Sequence, residues 1–178
     1  MTKEGIIPGS CWQLCTAVNG FANQSTNELV TQAAQGRGFE VINVPPKKQS
    51  NKDNLFRFQV RLLEDGYTCW FDFSAVVGQA LNLPTWLPLM LNRDQIQERI
   101  PDVLGWVEKA AKIENQYLWG GTIGPDFDCS GLVQSAFASA GIWLPRDAYQ
   151  QERFCKKLEI SLANYETLLP GDLLFFGT

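Results

Sequence analysis

Residues 126–141 read DFDCSGLVQSAFASAG, and the organisation of the chain turns on this run. Cys129, Leu132, Val133, Ala136, Phe137 and Ala140 recur at helical spacing, and Gly141 follows as a C-terminal stop. The spacing therefore predicts a helix opening near Cys129, preceded by the turn-rich TIGPDFD. Periodicity alone leaves Cys129 with two readings. It begins the apolar stripe, and free cysteine is among the most buried residue types. Its place in a first helical turn argues instead for chemistry: unpaired N–H groups and the positive end of the helix dipole stabilise a thiolate. Such surroundings can bring a cysteine pKa from about 8.5 to about 3.5–7.5. Gly131, lacking a Cβ, would let another element approach closely.

Working outward, Asp147 and Gln150 have the spacing of a capping box, so a short helix is expected after Asp147. The chain closes on LLPGDLLFFG, a Pro-Gly-Asp turn followed by an expected apolar strand. Upstream, Ile100, Val103, Leu104, Val107 and Ala111 mark one helical face, with Pro101 expected in the first turn. Residues 78–93 carry Pro84 and Pro88 without an amphipathic pattern; they are the expected boundary and, being apolar, are expected to pack on a domain.

The first half reads as β. Phe56, Phe58, Val60 and Leu62 alternate with Arg57, Gln59 and Arg61, a strand with one buried face. GFEVINV (38–44) and GYTCWFDF (66–73) are two further strands, the latter after a turn at Glu64-Asp65-Gly66. PPKKQSNKDN (45–54) is an expected hairpin loop whose Lys47, Lys48 and Lys52 form a solvated tip. Asn27–Ala34 favours helix by propensity. Short strands separated by turns suggest a small barrel.

Composition bounds the chemistry. The 178 residues are 45% hydrophobic, a globular composition, and contain no histidine. That excludes a Ser-His-Asp triad, a Cys-His pair and any His-containing metal site built from these residues. Cys11, Cys15, Cys69, Cys129 and Cys155 show no paired framework or zinc spacing; the other four cysteines are expected only to pack. No metal or cofactor is expected. The net charge is −4, with the acidic excess in residues 91–178 (8 basic, 12 acidic), so nucleic acid is not an expected partner. No signal-like or membrane-spanning run is visible, and a cytoplasmic protein with reduced thiols is expected.

YLWGG…DFDCSGLVQSAF…WLPRDAYQQ…LLPGDLLFFG, over residues 117–178, resembles the NlpC family of bacterial cell-wall cysteine peptidases. LVTQAAQGRGFEV and EDGYTCW more loosely resemble the bacterial Src-homology-3-like barrel that often precedes that domain. The resemblance implies an α+β chain: a small N-terminal β-barrel with connector over 1–90, then the first part of a papain-like catalytic domain over 91–178. It is similar to γ-D-glutamyl-L-diamino acid endopeptidases, particularly cyanobacterial ones. It implies Cys129 as nucleophile and Tyr117 as an oxyanion donor. It implies Asp128 as a carboxylate for the free amine of an N-terminal L-alanine, with Tyr67 reaching the same pocket from the barrel. Ser130 would donate to a substrate carboxylate or cap the helix, and Arg146 would meet the D-glutamate carboxylate. The expected partner is a peptidoglycan-derived peptide with a free N-terminal L-alanine.

The family's histidine sits on the strand after PGDLLFFG, and this sequence ends at Thr178. The resemblance therefore implies a C-terminally truncated chain, inactive and poorly soluble by itself. Two alternatives stand beside the hydrolase: a non-catalytic module binding wall peptides or a protein, and an acyltransferase on the same scaffold.

Overall fold

A computed structural model describes residues 5–46, 56–160 and 165–176. The first half is an antiparallel sheet of β1 (Cys11–Leu14), β2 (Val18–Phe21), β3 (Leu29–Ala33), β4 (Gly38–Asn43), β5 (Arg57–Leu62), β6 (Thr68–Asp72) and β7 (Ala80–Asn82). A short helix, α1 (Phe73–Val76), lies between β6 and β7. The strand order is β3-β2-β6-β5-β4-β1-β7. The alternation expected of residues 56–62 is realised in the register Phe58↔Phe71 and Val60↔Cys69, which puts Phe58, Val60 and Leu62 into the core with Phe39 and Phe71. The expected loop tip at Lys47, Lys48 and Lys52 lies outside the described residues.

The sheet departs from expectation in several places. Asn27–Ala34 is not a helix: Leu29–Ala33 is strand β3, paired with β2 through Val18↔Ala33 and Gly20↔Thr31. Burying Thr31 and Ala33 in the sheet core outweighs the local helical propensity. Arg57, expected on the open face, is 1% exposed. It pairs with Asp72 at 2.7 Å, donates to Asn27 Oδ1 at 2.9 Å and to the Thr26 carbonyl, and lies over the Phe21 ring. A buried cation is tolerated because every side of it is compensated. Strands β1, β2 and β7, of three or four residues each, are too short to carry a periodic signal in the sequence. The sheet has two edges, β3 and β7, with no ladder joining them among the described residues, so closure into the expected barrel is not seen. The β3 edge is used differently: Gln32 N–H donates to Thr122 Oγ1 at 3.1 Å, and that hydroxyl donates back to the Gln32 carbonyl.

The second half comprises α2 (Arg93–Ala110), a two-stranded ladder of β8 (Thr122–Ile123) and β9 (Asp126–Phe127), α3 (Cys129–Ser139) and α4 (Ala148–Phe154). Helix α2 starts earlier than expected. Asn92 Oδ1 accepts from the Gln95 N–H and Gln95 Oε1 from the Asn92 N–H, both at 2.9 Å, so Pro101 sits inside the helix and not in its first turn. Val103, Phe137, Ile142 and Leu144 form the core between α2 and α3. The connector packs only in part: Ala80–Asn82 forms β7 with Ala80 in the sheet core and Leu91 joins the α2–α3 core, whereas Leu87 and Met90 are 82% and 81% exposed. The expected closing strand is also absent among the described residues. Residues 172–176 form no ladder, and Phe176 is 95% exposed. No described helix is long and apolar enough to cross a membrane.

Gly105 lies within α2 with open space where a Cβ would stand. Gly105→Ala is therefore expected to stabilise the protein by about 0.5–1 kcal/mol, because alanine loses less backbone entropy in a helix. A urea midpoint that falls on this substitution would contradict that placement.

Candidate active site

Cys129 is the first residue of α3 and is exposed, which decides between its two readings: it is not a core residue. Asp128 is the N-cap. Its Oδ1 accepts from the Gly131 N–H at 2.7 Å, satisfying one of the helix's free donors. The rest of the first turn is fixed by close contact with the loop before β8. Asp128 Oδ2 accepts from the Gly120 N–H at 2.8 Å, and the Asp128 N–H donates to the Gly121 carbonyl at 3.2 Å. Gly131 has the function expected of it: a Cβ there would stand 2.0 Å from the Gly121 oxygen. Gly120 has φ +79, and a Cβ on it would meet the Leu29 carbonyl of β3 at 2.6 Å, so the site loop lies directly on the sheet edge.

Behind Cys129 is a buried polar cluster. Arg146 Nη1 donates to Asp128 Oδ1 at 3.0 Å and to Ser130 Oγ at 2.9 Å, while Nη2 reaches Asp128 Oδ2. Ser130 Oγ in turn donates to Asp128 Oδ1 at 3.3 Å. Burial opposes the Asp128 charge, but the hydrogen bonds from Arg146, Gly131 and Gly120 outweigh it and hold this carboxyl below its ordinary value. Tyr67 arrives from the sheet and donates its hydroxyl to Asp147, the N-cap of α4; burial, followed by the nearby Asp147 charge, pushes the phenol well up. Burial also raises Asp147, against the lowering effect of Arg146.

The structure thus brings together all six residues singled out in the sequence. It also shows that Asp128, Ser130 and Arg146 are each other's partners. Tyr117 stands on the open side, exposed and hydrogen-bonded to the Cys129 thiol; desolvation and the neighbouring Cys129 and Asp128 push its hydroxyl up. A pocket of about 310 Å³ opens beside Cys129, lined by Val107, Ala110, Tyr117, Phe127 and Leu132 among others.

Sequence reasoning missed the residues that lock the sheet to α3. Asp65, in the turn between β5 and β6, accepts from Gln134 Nε2 at 2.8 Å and from the Tyr67 N–H at 3.0 Å, and pairs with Arg37 at 2.9 Å. Gln134 also donates to the Leu144 carbonyl at 2.9 Å. Gln151 Nε2 bridges the carbonyls of Ser130 and Pro145 at 3.0 and 2.9 Å. Glutamines have no motif value in sequence, and Gln134 lies off the apolar stripe of Cys129, Leu132, Val133, Ala136, Phe137 and Ala140, so no signal in the sequence marked it.

The comparison with known families returns the NlpC/P60 family over residues 114–178, the stretch that contains Tyr117, Cys129 and Arg146. Residues 114–178, about a third of the chain, are thus similar to the NlpC/P60 family. Within the curated relatives, the chain is 49% identical over 74 residues to the bifunctional muramidase/DL-endopeptidase CwlT of Bacillus subtilis (strain 168), covering 40% of this chain and 21% of that protein. It is 43% identical over 61 residues to a gamma-D-glutamyl-L-lysine dipeptidyl-peptidase of the same organism, covering 34% and 19%. The matched stretch thus spans about a fifth of the length of these relatives. The solved structure of NlpC2 from Trichomonas vaginalis aligns with a TM-score of 0.40 at 15% identity, over 93% of this chain and 78% of that one. The NlpC/P60 stretch begins after α2, so the sheet and α2 lie outside the family match.

Proposed function

We propose that Cys129 is the nucleophile of a cysteine endopeptidase that hydrolyses the γ-D-glutamyl–diamino acid bond of peptidoglycan stem peptides. The observation that carries this reading is the exposed thiol at the start of α3, hydrogen-bonded to Tyr117 beside an open pocket. The thiolate adds to the γ-carbonyl carbon, and the Tyr117 hydroxyl donates to the oxygen on which negative charge develops. Collapse expels the diamino acid amine, which leaves with a proton, and a thioester remains. Water then attacks the thioester, releasing the γ-D-glutamyl carboxylate and the thiol. The proton is taken and returned by an imidazole, which these residues do not contain.

The organisation that accompanies this reading is a sheet domain over 1–90 and a catalytic segment over 91–178. Muropeptide recycling in the cytoplasm is its setting. Asp128, Ser130 and Arg146 are bonded to one another behind the thiol, with Tyr67 held beside them by Asp147, and this supports placing the peptide's N-terminal L-alanine on that side. A substrate amine there has to compete with Arg146 for Asp128. A second reading, a peptide-binding module without hydrolysis, is favoured by the absence of histidine.

A chloromethyl ketone built on L-Ala-γ-D-Glu tests both without needing the base. Saturable labelling of Cys129, slowed by L-Ala-γ-D-Glu-diamino acid peptide, is expected by mass spectrometry. Protection by the peptide without preferential labelling of Cys129 would favour the binding module. Equal labelling of Cys129 and Cys155 with no protection by peptide would overturn both readings.

A further inference from the structure

Asp128 stands directly before Cys129, and a bare carboxylate in that place opposes a thiolate. Arg146 removes the conflict. It is 2% exposed, and its guanidinium forks onto both oxygens of Asp128, itself 6% exposed. The Gly120 and Gly131 N–H groups and the Ser130 hydroxyl fill the remaining acceptor positions, so the carboxylate is fully committed to the protein side. Arg146 is itself fixed. It follows Pro145, whose carbonyl is tied by Gln151 to the carbonyl of Ser130, and it precedes the cap of α4. On the pocket side, the titratable neighbours of Cys129 are Tyr117 and Asp128; α2 presents Val107 and Ala110 and its C-cap Ala111, which carry no charge. Beyond Arg146 lie Asp147 and, from the sheet, Tyr67.

We infer that Arg146 is a positioning residue for the thiol: it neutralises Asp128 and holds its oxygens against the backbone, so that Asp128 caps α3 without opposing a thiolate on Cys129. This rests on Cys129 being the nucleophile. It assigns the Arg146–Asp128 pair a task in the resting protein, separate from any contact with substrate.

The test is the rate of iodoacetamide alkylation of each cysteine between pH 5 and 9, read by mass spectrometry. It uses the 178-residue protein and its Arg146→Gln, Asp128→Asn and double variants. Arg146→Gln is expected to slow Cys129 about tenfold at pH 6.5 and to move its pH profile up by about one unit, because an unpaired carboxylate then faces the thiolate. The double variant, with no charge on either side, is expected to return to within about threefold of the parent rate. Cys155, outside the cluster, is the internal reference. A parental rate in Arg146→Gln, or a double variant as slow as Arg146→Gln, overturns the inference. Should Arg146→Gln fail to fold, Arg146→Lys decides: it keeps the charge and loses the fork. A near-parental rate supports neutralisation, and a tenfold loss overturns it. The nucleophile reading is judged apart from this: a parent Cys129 no faster than Cys155 at pH 6.5 defeats it, while the ratio of variant to parent still decides the task of Arg146.

Discussion

Gly131→Ala is expected to slow labelling of Cys129 by the γ-D-glutamyl chloromethyl ketone about a hundredfold. A Cβ at 131 would lie 2.0 Å from the Gly121 oxygen and 2.9 Å from Asp128 Oδ1. The first obstacle is backbone, not the end of a flexible side chain, so either α3 or the loop must move. The loop has little freedom. Gly121 O accepts from the Asp128 N–H, and a Cβ on Gly121 would itself meet the Asp126 carbonyl at 2.6 Å. Displacement of about 1 Å at the thiol is enough to cost about two orders of magnitude in rate. Overpacking of this kind costs about 1–3 kcal/mol, so a fall of about 5 °C in the melting midpoint should accompany it. The contrast is Gly105→Ala, where nothing stands in the way. Labelling of Gly131→Ala at the parental rate would show that the loop does not fix the thiol.

Phe71→Ala is expected to cost about 3–5 kcal/mol in stability. Phe71 is fully buried, with its ring edge-on to Phe39 at 5.4 Å and to Phe58 at 6.4 Å. It lies on β6, which pairs with both β2 and β5, so the cavity would open at the middle of the sheet. The consequence reaches the site, because the turn joining β5 to β6 carries Asp65 and Tyr67, which hold Gln134 and Asp147. A melting midpoint lower by about 10 °C is expected. Leu87→Ala, on the exposed connector, should change stability by no more than about 0.5 kcal/mol. Equal midpoints for the two variants would refute the assignment of the core.

Where the controlling interactions are local, the sequence was legible. The start of α3, its stop at Gly141, the capped start of α4 and the strands on either side of Gly66 all follow from spacing and turn chemistry within about ten residues. The same holds for the close approach at Gly131. The failures are non-local. Leu29–Ala33 has helical propensity but is held as a strand by β2 and by Thr122, 90 positions away. Arg57 looks like a solvent residue until Asp72 and the carbonyl of Thr26 close around it. Leu87 and Met90 look like packing residues, yet nothing among the described residues covers them.

The sequence alone determined the immediate frame of Cys129: a cysteine at the start of a helix, with an acid before it and a glycine two positions after it. That much is decided by hydrogen bonding within one helical turn. Only the tertiary structure decided that the acid is spoken for. Arg146 is 18 positions from Asp128, and Tyr67 is 80 positions from Asp147. A buried charge is stabilised by whichever partners the fold brings within about 3 Å, and chain spacing carries no record of that distance.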